Sequence, residues 1–384
     1  MKILVVLPFA FFRSSGSPLN SFYRVQALLK LGHTIDIATY PHGENICCEK
    51  LRIYRFPKRK LFRSIQPGDL LKKIVYDFLL FFNYFYRVIR NRYDVIIAHG
   101  TITLFTIVLK PFIKARFVST IHGNIEEELS KWNISNSRKL FNFISKLEVF
   151  PLKFYDKIIT VTDNLKERLV EKGIDSSLIV VITNSTFSKK LSGFTKSDGK
   201  IIILYTGTFV EVQNLELIYR TAAILKDEKI EFVLIGVTDS EILSHNDLIK
   251  KYGIKKCVRL YRRKQPHELE GFYKKATIVV SPRIYGKNEI PMKIYDYMNH
   301  GKCILVTDVP IHRNILNEDI AFFAKADPRS FADAILYLKA HPDLVEELSR
   351  KAKEYFEKNF SFDIMRCKYD EILKSLNFKK RNPN

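Results

Sequence analysis

One stretch of this sequence concentrates side chains that can bind phosphates and sugar hydroxyls. It runs GKNEIPMKIYDYMNHGK over residues 286–302 and includes Asn288, Glu289, Lys293 and Asp296. A carboxylate such as that of Asp296 accepts two hydroxyl hydrogen bonds, which suits a ribose, and amides at the start of a helix after the proline suit a diphosphate. The alternative is an ion pair between Lys293 and Asp296 on a helix surface. That alternative leaves the proline, the glycine and the following apolar run unexplained.

Glycines, histidines and small polar residues also follow most of the apolar runs that resemble strands. They are His99-Gly100, His122-Gly123, Thr162-Asp163, Asn184-Ser185, Gly207-Thr208, Gly236 and Asp308. A single glycine after a strand usually marks a turn, and a single histidine is more often structural. In a parallel sheet, however, ligands bind outside the carboxyl ends of the strands. The joint occurrence of these residues therefore predicts a ligand site.

The scaffold that the rest of the chain predicts is an α/β fold with two doubly wound, Rossmann-like domains facing each other across a cleft. Continuous Val/Ile runs alternate with longer amphipathic stretches, which is typical of parallel sheets covered on both faces. A length of 384 residues also favours two domains over one. The predicted ranges are 1–188 for the N-terminal domain, 189–200 for a linker, 201–360 for the C-terminal domain, and 361–384 for a helix that packs back towards the N-terminal domain.

The charge of the chain indicates a polyanionic partner or an anionic membrane. Lys and Arg number 63 against 41 Asp and Glu, a net charge of +22. Residues 50–116 include FPKRKLFR (56–63) and LLKKIVYDFLLFFNYFYRVIRNR (70–92), whose mixture of basic, aromatic and aliphatic residues suits the headgroup boundary of an anionic bilayer. The charges in the second segment argue against a membrane-spanning helix. The alternative for this segment is a helix with an apolar core face and a solvated basic face. Nucleic acid is the other possible polyanion, and the lack of a nucleic-acid-binding motif argues against it.

The sequence predicts neither a metal site nor a disulfide. Five cysteines show no regular spacing, which favours a reducing compartment. The histidines are scattered without ligand spacing, and no Asp-x-Asp pair occurs. The apolar start MKILVVLPFAFF is interrupted by Pro8 and ended by Arg13, so it is read as a buried first strand rather than a secretion signal. We expect a cytoplasmic protein, peripheral at the inner face of the membrane.

Five stretches, in this order and over nearly all of the chain, resemble a known family. They are SSGSP…RVQALLKLGHTIDIAT (14–39), STIHGNIEEEL (119–129), DKIITVTDNLKERLVEKGID…VVITNS (156–185), YTGTFVEVQNLELIYRTAAIL (205–225) and EIPMKIYDYMNHGKCILVTDVP (289–310), of which the last is the most specific. The chain resembles the retaining glycosyltransferases of family 4, also called group 1, whose GT-B fold has two Rossmann-like domains. The resemblance implies that the N-terminal domain binds the acceptor and that the C-terminal domain binds a nucleotide-sugar donor.

The resemblance also implies roles for individual residues. It places His122 beside the donor sugar, and the sugar-contacting acid at Asn288 or, one position out of register, at Glu289. These three are the expected catalytic residues, with a structural strand-end role as the alternative for His122. The expected donor-binding residues are Gly16, Gly207, Thr208, Arg263, Lys293 and Asp296. The expected acceptor-binding residues are His99, Glu126 and Glu127.

Two positions depart from the family pattern on the donor side. Family members often have an arginine directly after the glycine of the first donor-domain strand and a lysine five residues later, where this sequence has Thr208 and Gln213. Departure of a nucleoside diphosphate develops negative charge, so another cation must replace them. We expect this cation to be Lys293 and, after it, Arg263.

The sequence thus predicts a retaining, hexosyltransferase-type glycosyltransferase of polysaccharide biosynthesis. It would move a sugar from a nucleoside-diphosphate sugar to a glycan or lipid-linked glycan, without a cofactor or an essential metal. One alternative is a non-catalytic GT-B protein that binds nucleotide sugars or scaffolds an assembly, which Asn288, Thr208 and Gln213 keep open. A third reading is a sugar-nucleotide epimerase on the same fold.

Overall fold

The chain divides into two compact units. The structure is a computed structural model that describes residues 1–11, 16–44, 46, 48–56, 70–123, 149–186, 200–285 and 290–376. The first unit contains the described residues up to Asn184 except Gly16, together with the C-terminal residues from Phe362, and the second contains Ser185–Ser361 and Gly16. The predicted linker, 189–200, lies outside the described residues except for Lys200.

The first unit is built on a seven-stranded parallel sheet with the order β3-β2-β1-β4-β5-β6-β7. Its strands are β1 (Lys2–Leu7), β2 (Thr34–Thr39), β3 (Leu51–Arg55), β4 (Val95–His99), β5 (Arg116–Ile121), β6 (Lys157–Thr160) and β7 (Ile179–Val181). Its helices in the first part of the chain include α1 (Gly16–Lys30), α2 (Leu70–Arg90), α3 (Thr103–Thr106) and α4 (Asp163–Glu171). Apolar side chains from both faces of the strands are buried against these helices, which explains the continuous Val/Ile runs.

The second unit is built on a six-stranded parallel sheet with the order β10-β9-β8-β11-β12-β13. Its strands are β8 (Ile201–Thr206), β9 (Ile230–Val237), β10 (Val258–Arg262), β11 (Ile278–Ser281), β12 (Cys303–Thr307) and β13 (Phe322–Ala324). Its described helices are α5 (Leu215–Ile224), α6 (Ile242–Lys251), α7 (Pro266–Lys275), α8 (Met292–Asn299), α9 (Pro310–Arg313), α10 (Pro328–Ala340) and α11 (Pro342–Asn359). Two apolar clusters cover the two faces of this sheet.

The last helix, α12 (Phe362–Ser375), belongs to the first unit. Its Met365, Tyr369 and Ile372 are buried in the same apolar cluster as Ile3 of β1. The chain therefore finishes its second sheet before it returns to cover the first.

The order of the strands fixes where a ligand can bind in each unit. In the first sheet the chain adds β2 and β3 on one side of β1, and then adds β4 and the later strands on the other side; in the second sheet the same change of side occurs between β8 and β11. Ligands bind at the carboxyl ends of the strands at such switch points. His99 ends β4 at the first switch point, and Gly207 follows β8 at the second. The predicted α/β class with two doubly wound, Rossmann-like units is confirmed.

Two glycines allow the ends of β8 and β9 to approach closely. Gly236 has a φ of +131°, and a Cβ added there would lie 1.8 Å from the carbonyl oxygen of Gly207. We expect Gly236→Ala to lower the free energy of unfolding by at least about 3 kcal/mol, because both the dihedral and the clash require the backbone to move. Gly271→Ala is the control, since this glycine lies within α7 with open space around it and alanine there should stabilise by up to about 1 kcal/mol. Urea unfolding measures both, and a wild-type value for Gly236→Ala would contradict the close approach.

Candidate functional site

A buried lysine lies at the switch point of the second sheet. Lys293 Nζ donates to Gln213 Oε1 at 2.8 Å and lies 3.8 Å from the centre of the Tyr205 ring. Gly207, at the end of β8, provides the space, because a Cβ there would lie 2.8 Å from Lys293 Nζ. An amide oxygen and an aromatic face thus hold the ammonium beside the turn that follows the first strand of this unit.

The surroundings of Lys293 are typical of an anion site. The residue is 8% exposed, and no carboxylate in the described ranges pairs with it. Burial, together with the positive charge of Arg283, lowers the pKa of Lys293 well below its usual range. The helix α8 begins one residue before Lys293, so this lysine belongs to the first turn, whose amides carry partial positive charge. A phosphate group would supply the negative charge that this arrangement lacks.

Asp296 follows Lys293 by one turn of α8, yet the two side chains do not form the surface ion pair that was the alternative. Lys293 is engaged with Gln213, and Asp296 accepts a hydrogen bond from the hydroxyl of Thr186. Burial raises the pKa of Asp296 to about 6, and the bond from Thr186 opposes this rise. The carboxylate therefore titrates near pH 6, and a perturbed pKa of this kind is common at functional sites.

The other predicted donor-side residues have different positions. Thr208 contributes its carbonyl oxygen, which accepts from the Tyr205 hydroxyl at 2.6 Å. Arg263 is exposed beyond the edge strand β10 and makes no hydrogen bond or ion pair with a described residue. The positive charge that lowers the pKa of Lys293 is that of Arg283, not that of Arg263. Arg283 follows β11 by two residues at the switch point, and its place after the apolar run ATIVVSP was the signal that could have identified it.

In the first unit, the two predicted histidines contact each other. His99 Nδ1 lies 3.0 Å from His122 Nε2, and the two ring planes are within 18° of each other with their centres 5.3 Å apart. Burial lowers the pKa of His99 to about 3 and that of His122 well below its usual range, with the charge of Arg24 adding to both effects. The pair is therefore neutral at physiological pH. It lies at the carboxyl ends of β4 and β5, where the strand-end pattern predicted a site.

Two residues of α1 that the sequence did not single out support this pair. Asn20 Nδ2 lies 3.3 Å from His122 Nδ1, and Arg24 Nε donates to Asn20 Oδ1 at 3.3 Å. Arg24 is 2% exposed, and its guanidinium also donates to the hydroxyl of Tyr369 and to the carbonyl of Ile182. His122 thus contacts a polar cluster formed by side chains from α1, from Asn184 and from Tyr369 of α12.

Four of the predicted site residues lie outside the described residues. They are Asn288 and Glu289, expected beside the donor sugar, and Glu126 and Glu127, expected on the acceptor side. Gly16 is the first residue of α1. The structure therefore brings together Gly207, Lys293 and Gln213 in one unit, and His99 with His122 in the other.

Two family models match consecutive parts of the chain. Residues 23–186 match "Glycosyltransferase Family 4", and residues 187–355 match "Glycosyl transferases group 1". The GPI3 subunit of the phosphatidylinositol N-acetylglucosaminyltransferase of Saccharomyces cerevisiae is 22% identical over 287 residues, 70% of this chain and 59% of that protein. The O-antigen chain mannosyltransferase RfbU of Salmonella typhimurium is 23% identical over 216 residues, 56% of this chain and 59% of RfbU. The chain thus matches 59% of the length of these curated relatives.

Solved structures share the fold over nearly the whole chain. Sucrose-phosphate synthase from Thermosynechococcus elongatus superposes with a TM-score of 0.76 at 16% identity, covering 98% of each chain. Anabaena Alr3699/HepE, solved in complex with UDP and glucose, superposes with a TM-score of 0.71 at 13% identity, covering 98% of this chain and all of its own (100%).

Proposed function

Because this chain belongs to the group 1 glycosyltransferases and has the GT-B fold, we propose that it transfers a hexose-type sugar from a nucleoside-diphosphate donor to a hydroxyl group of a glycan, with retention at the anomeric carbon. The observation that carries the proposal is the buried Lys293, with which no carboxylate of the described residues pairs, beside Gly207 and the start of α8. This site lies in the part of the chain that matches the group 1 model.

The residues of the second unit have distinct roles in this proposal. Lys293, Arg283 and the first amides of α8 bind the diphosphate and stabilise the charge that develops on it when the bond to the sugar breaks. Asp296 accepts hydrogen bonds from the ribose hydroxyls. These fixed cations act without an essential metal ion, so that the rate of transfer is the same in excess EDTA.

Calorimetric titration of UDP, GDP and ADP tests the proposal. Wild-type protein should bind one of them with a dissociation constant in the micromolar range, worth about 8 kcal/mol. UDP is the first choice, because the HepE structure contains it. Asp296→Ala should weaken this binding, since the ribose loses its acceptor. Failure of all three nucleotides to bind would contradict the proposed donor site.

The pH dependence of nucleotide binding gives a second test. Burial raises the pKa of Asp296 to about 6, so the carboxylate becomes protonated below that value and loses its strength as an acceptor. We expect the affinity for UDP to fall by up to about tenfold for each pH unit below 6, which is about 1.4 kcal/mol per unit. Asp296→Asn is the matched control, because the nucleotide phosphate also gains a proton near pH 6. Equal pH dependence in the two proteins would exclude Asp296 as its source.

A nucleotide-sugar-binding protein without catalysis is the second candidate, and Thr208 and Gln213 favour it. They stand where the family often has an arginine and a lysine. Gln213 nevertheless binds the Nζ of Lys293, so a cation reaches the position by another route. Nucleotide binding without turnover across a panel of acceptors would favour this second candidate.

The outer face of α2 suggests where the acceptor is found. Phe78 and Phe82 of this helix are 55% and 50% exposed, and other large apolar residues extend the same exposed face. This α2 outer face consists of Leu71, Ile74, Phe78, Phe82, Phe85 and Ile89. These apolar residues recur every three or four positions, and the 18 residues of rise from Leu71 to Ile89 extend the face over about 27 Å. Exposed apolar surface of this extent marks an interaction site.

The charges around the α2 outer face favour an anionic membrane as its partner. Lys72 and Arg90 are exposed near the two ends of the helix, whereas its single acid, Asp77, is buried against Lys73 and Tyr40. Among the described helices, none is both long enough and apolar enough to span a bilayer. We propose that the first unit docks on the inner face of the cytoplasmic membrane through this surface, with a lipid-linked glycan as acceptor. The basic segment 57–69, part of the predicted membrane region 50–116, lies outside the described residues.

A further inference from the structure

The hydrogen bonds behind the histidine pair have a direction that can be followed from one residue to the next. A guanidinium only donates hydrogen bonds. Arg24 Nε lies 3.3 Å from the side-chain oxygen of Asn20 and donates to it, so the amide of Asn20 must direct Oδ1 towards Arg24. Asn184 supports this orientation, because its Oδ1 accepts from Asn20 Nδ2 at 2.5 Å and from Arg24 Nη2 at 3.4 Å. The amide group of Asn20 can then face His122 only with its nitrogen.

This orientation decides the protonation of both imidazoles. An amide NH₂ only donates, so His122 Nδ1 must accept the bond from Asn20 and carries no proton. The proton of His122 is then on Nε2, from which it donates to His99 Nδ1 at 3.0 Å. His99 in turn accepts at Nδ1, and its own proton is on Nε2. Both rings therefore have an occupied, unprotonated Nδ1.

We propose that Asn20, held by Arg24, is a positioning residue that fixes His122 and His99 as Nε2–H tautomers, so that the pair presents one hydrogen-bond donor, the Nε2–H of His99, to a ligand. The proposal rests on the proposed function in one respect, namely that the ligand is a sugar of the transfer reaction. A sugar hydroxyl or a developing oxyanion would bind the pair as an acceptor. Neither histidine would take a proton from the acceptor hydroxyl, because the unprotonated nitrogen of each ring, Nδ1, already accepts a hydrogen bond within the protein.

The anchoring of Arg24 supports a positioning role. Its guanidinium donates to the carbonyl of Ile182 at 2.8 Å and to the hydroxyl of Tyr369, on α12, at 3.1 Å. No described carboxylate pairs with it, although a carboxylate is the usual partner of a buried arginine. A carboxylate at the position of Asn20 would have paired with Arg24 more strongly, but it would also have accepted a hydrogen bond from His122 and so favoured a proton on Nδ1. The amide is the group that satisfies Arg24 and keeps Nδ1 of His122 unprotonated.

Nitrogen-15 NMR of the full-length protein labelled at histidine tests the proposal directly. Variants His99→Gln and His122→Gln assign the two rings. In the wild type we expect Nδ1 of both rings in the unprotonated range and Nε2 in the protonated range. In Asn20→Asp we expect Nδ1 of His122 to become protonated, because a carboxylate accepts where the amide donated. Asn91→Asp adds the same charge to the first unit at a residue that bonds to Arg87 and Lys2, and should leave both rings unchanged.

The outcomes separate this proposal from the proposed function. A protonated Nδ1 on His122 in the wild type, or an unprotonated one in Asn20→Asp, would overturn it. If Asn20→Asp does not fold, Asn20→Leu replaces it and should give His122 a mixture of tautomers, whereas a single unchanged tautomer would overturn the proposal. These spectra need neither donor nor acceptor, so a lack of turnover overturns only the proposed function. In a working transfer assay, Asn20→Leu should lower kcat by up to about tenfold, the order of effect expected for the loss of one hydrogen bond.

Discussion

Replacing Lys293 by methionine should lower the rate of sugar transfer by about a thousandfold, the effect of removing one fixed group that stabilises charge in a transition state. Lys293 is the buried cation at the switch point of the second sheet, and Thr208 and Gln213 supply no positive charge of their own. Methionine keeps the volume of the aliphatic stem and removes only the ammonium. Steady-state kinetics with the donor found by calorimetry measures the effect.

The same change should not lower stability. Burial depresses the pKa of Lys293 in the folded protein. Its charge therefore destabilises the fold below that lowered value, and the penalty is lost as the pH rises towards the ordinary pKa of lysine, about 10.4. At neutral pH, methionine removes this penalty, so the unfolding temperature of Lys293→Met should equal or exceed that of the wild type. An enzyme that is inactive and at least as stable identifies a functional charge rather than a structural one.

Lys302→Met is the matched control for Lys293→Met. Lys302 is also buried, burial lowers its pKa to about 8, and its Nζ donates to the carbonyl of Ala276 at 3.0 Å. It precedes β12, so it lies at the amino ends of the strands, the opposite edge of the sheet from Lys293. Lys302→Met should therefore keep the wild-type rate. An equal loss of rate in both variants, or no loss in Lys293→Met, would contradict the proposed role.

Proton uptake gives the same prediction a second measurement. A bound diphosphate favours the charged form of Lys293, so binding above the lowered pKa of this lysine must be accompanied by the uptake of a proton. Calorimetry in buffers with different ionisation enthalpies, at a series of pH values up to the ordinary pKa of lysine, about 10.4, measures this uptake. It should be present in the wild type and absent in Lys293→Met.

The sequence allowed the fold and the edge of each sheet that carries the site to be predicted. Parallel strands place their carboxyl ends together, so His99, His122 and Gly207 could be assigned to these edges from their positions after apolar runs. The partners of these residues could not be predicted in the same way. Gln213 meets Lys293 across 80 positions of the chain, and no periodic pattern records a contact between two side chains at that separation.

Arg24 and the α2 outer face show a second limit of sequence reasoning. An arginine within an amphipathic helix is usually solvated, but Arg24 is buried because Tyr369, Ile182 and Asn20 from separate segments satisfy its donors. In α2, apolar residues occupy both sides of the helix, so the hydrophobic period does not show which side packs on the sheet. The structure buries Tyr76, Leu80 and Tyr84 and leaves the opposite apolar side exposed.

Replacing Phe78 and Phe82 together by serine should weaken binding to anionic vesicles by about a hundredfold. Each ring is about half exposed, so its transfer from water into the bilayer interface contributes about 1.5 kcal/mol, half the value for burial of a whole side chain. Two such contributions amount to about 3 kcal/mol, or two factors of ten in the binding constant. Co-sedimentation with phosphatidylcholine vesicles, with and without phosphatidylglycerol, measures the change.

Leu243→Ser is the control for this double variant. Leu243 lies on α6 in the second unit and is 74% exposed, more than either phenylalanine. Its replacement removes a comparable aliphatic surface, but from a helix that lacks a continuous exposed apolar stripe, so binding to vesicles should not change. The unfolding temperatures of both variants should stay near that of the wild type, because the replaced side chains are largely solvated.

The behaviour of the wild type distinguishes a membrane from another occupant of the α2 outer face. If the partner is an anionic bilayer, binding requires phosphatidylglycerol and weakens as salt is added, because Lys72 and Arg90 each contribute about 1 kcal/mol near the charged surface. If the partner is a second copy of the chain, light scattering shows a dimer without lipid, and Phe78→Ser/Phe82→Ser dissociates it. Binding to neutral and anionic vesicles alike would contradict the charge argument, since the apolar face alone would then account for the attachment. Salt-sensitive binding that is lost in the double variant would show that both the apolar and the basic residues of the surface are needed. It would also place the first unit, for which we propose acceptor binding, at the lipid where a lipid-linked glycan is found.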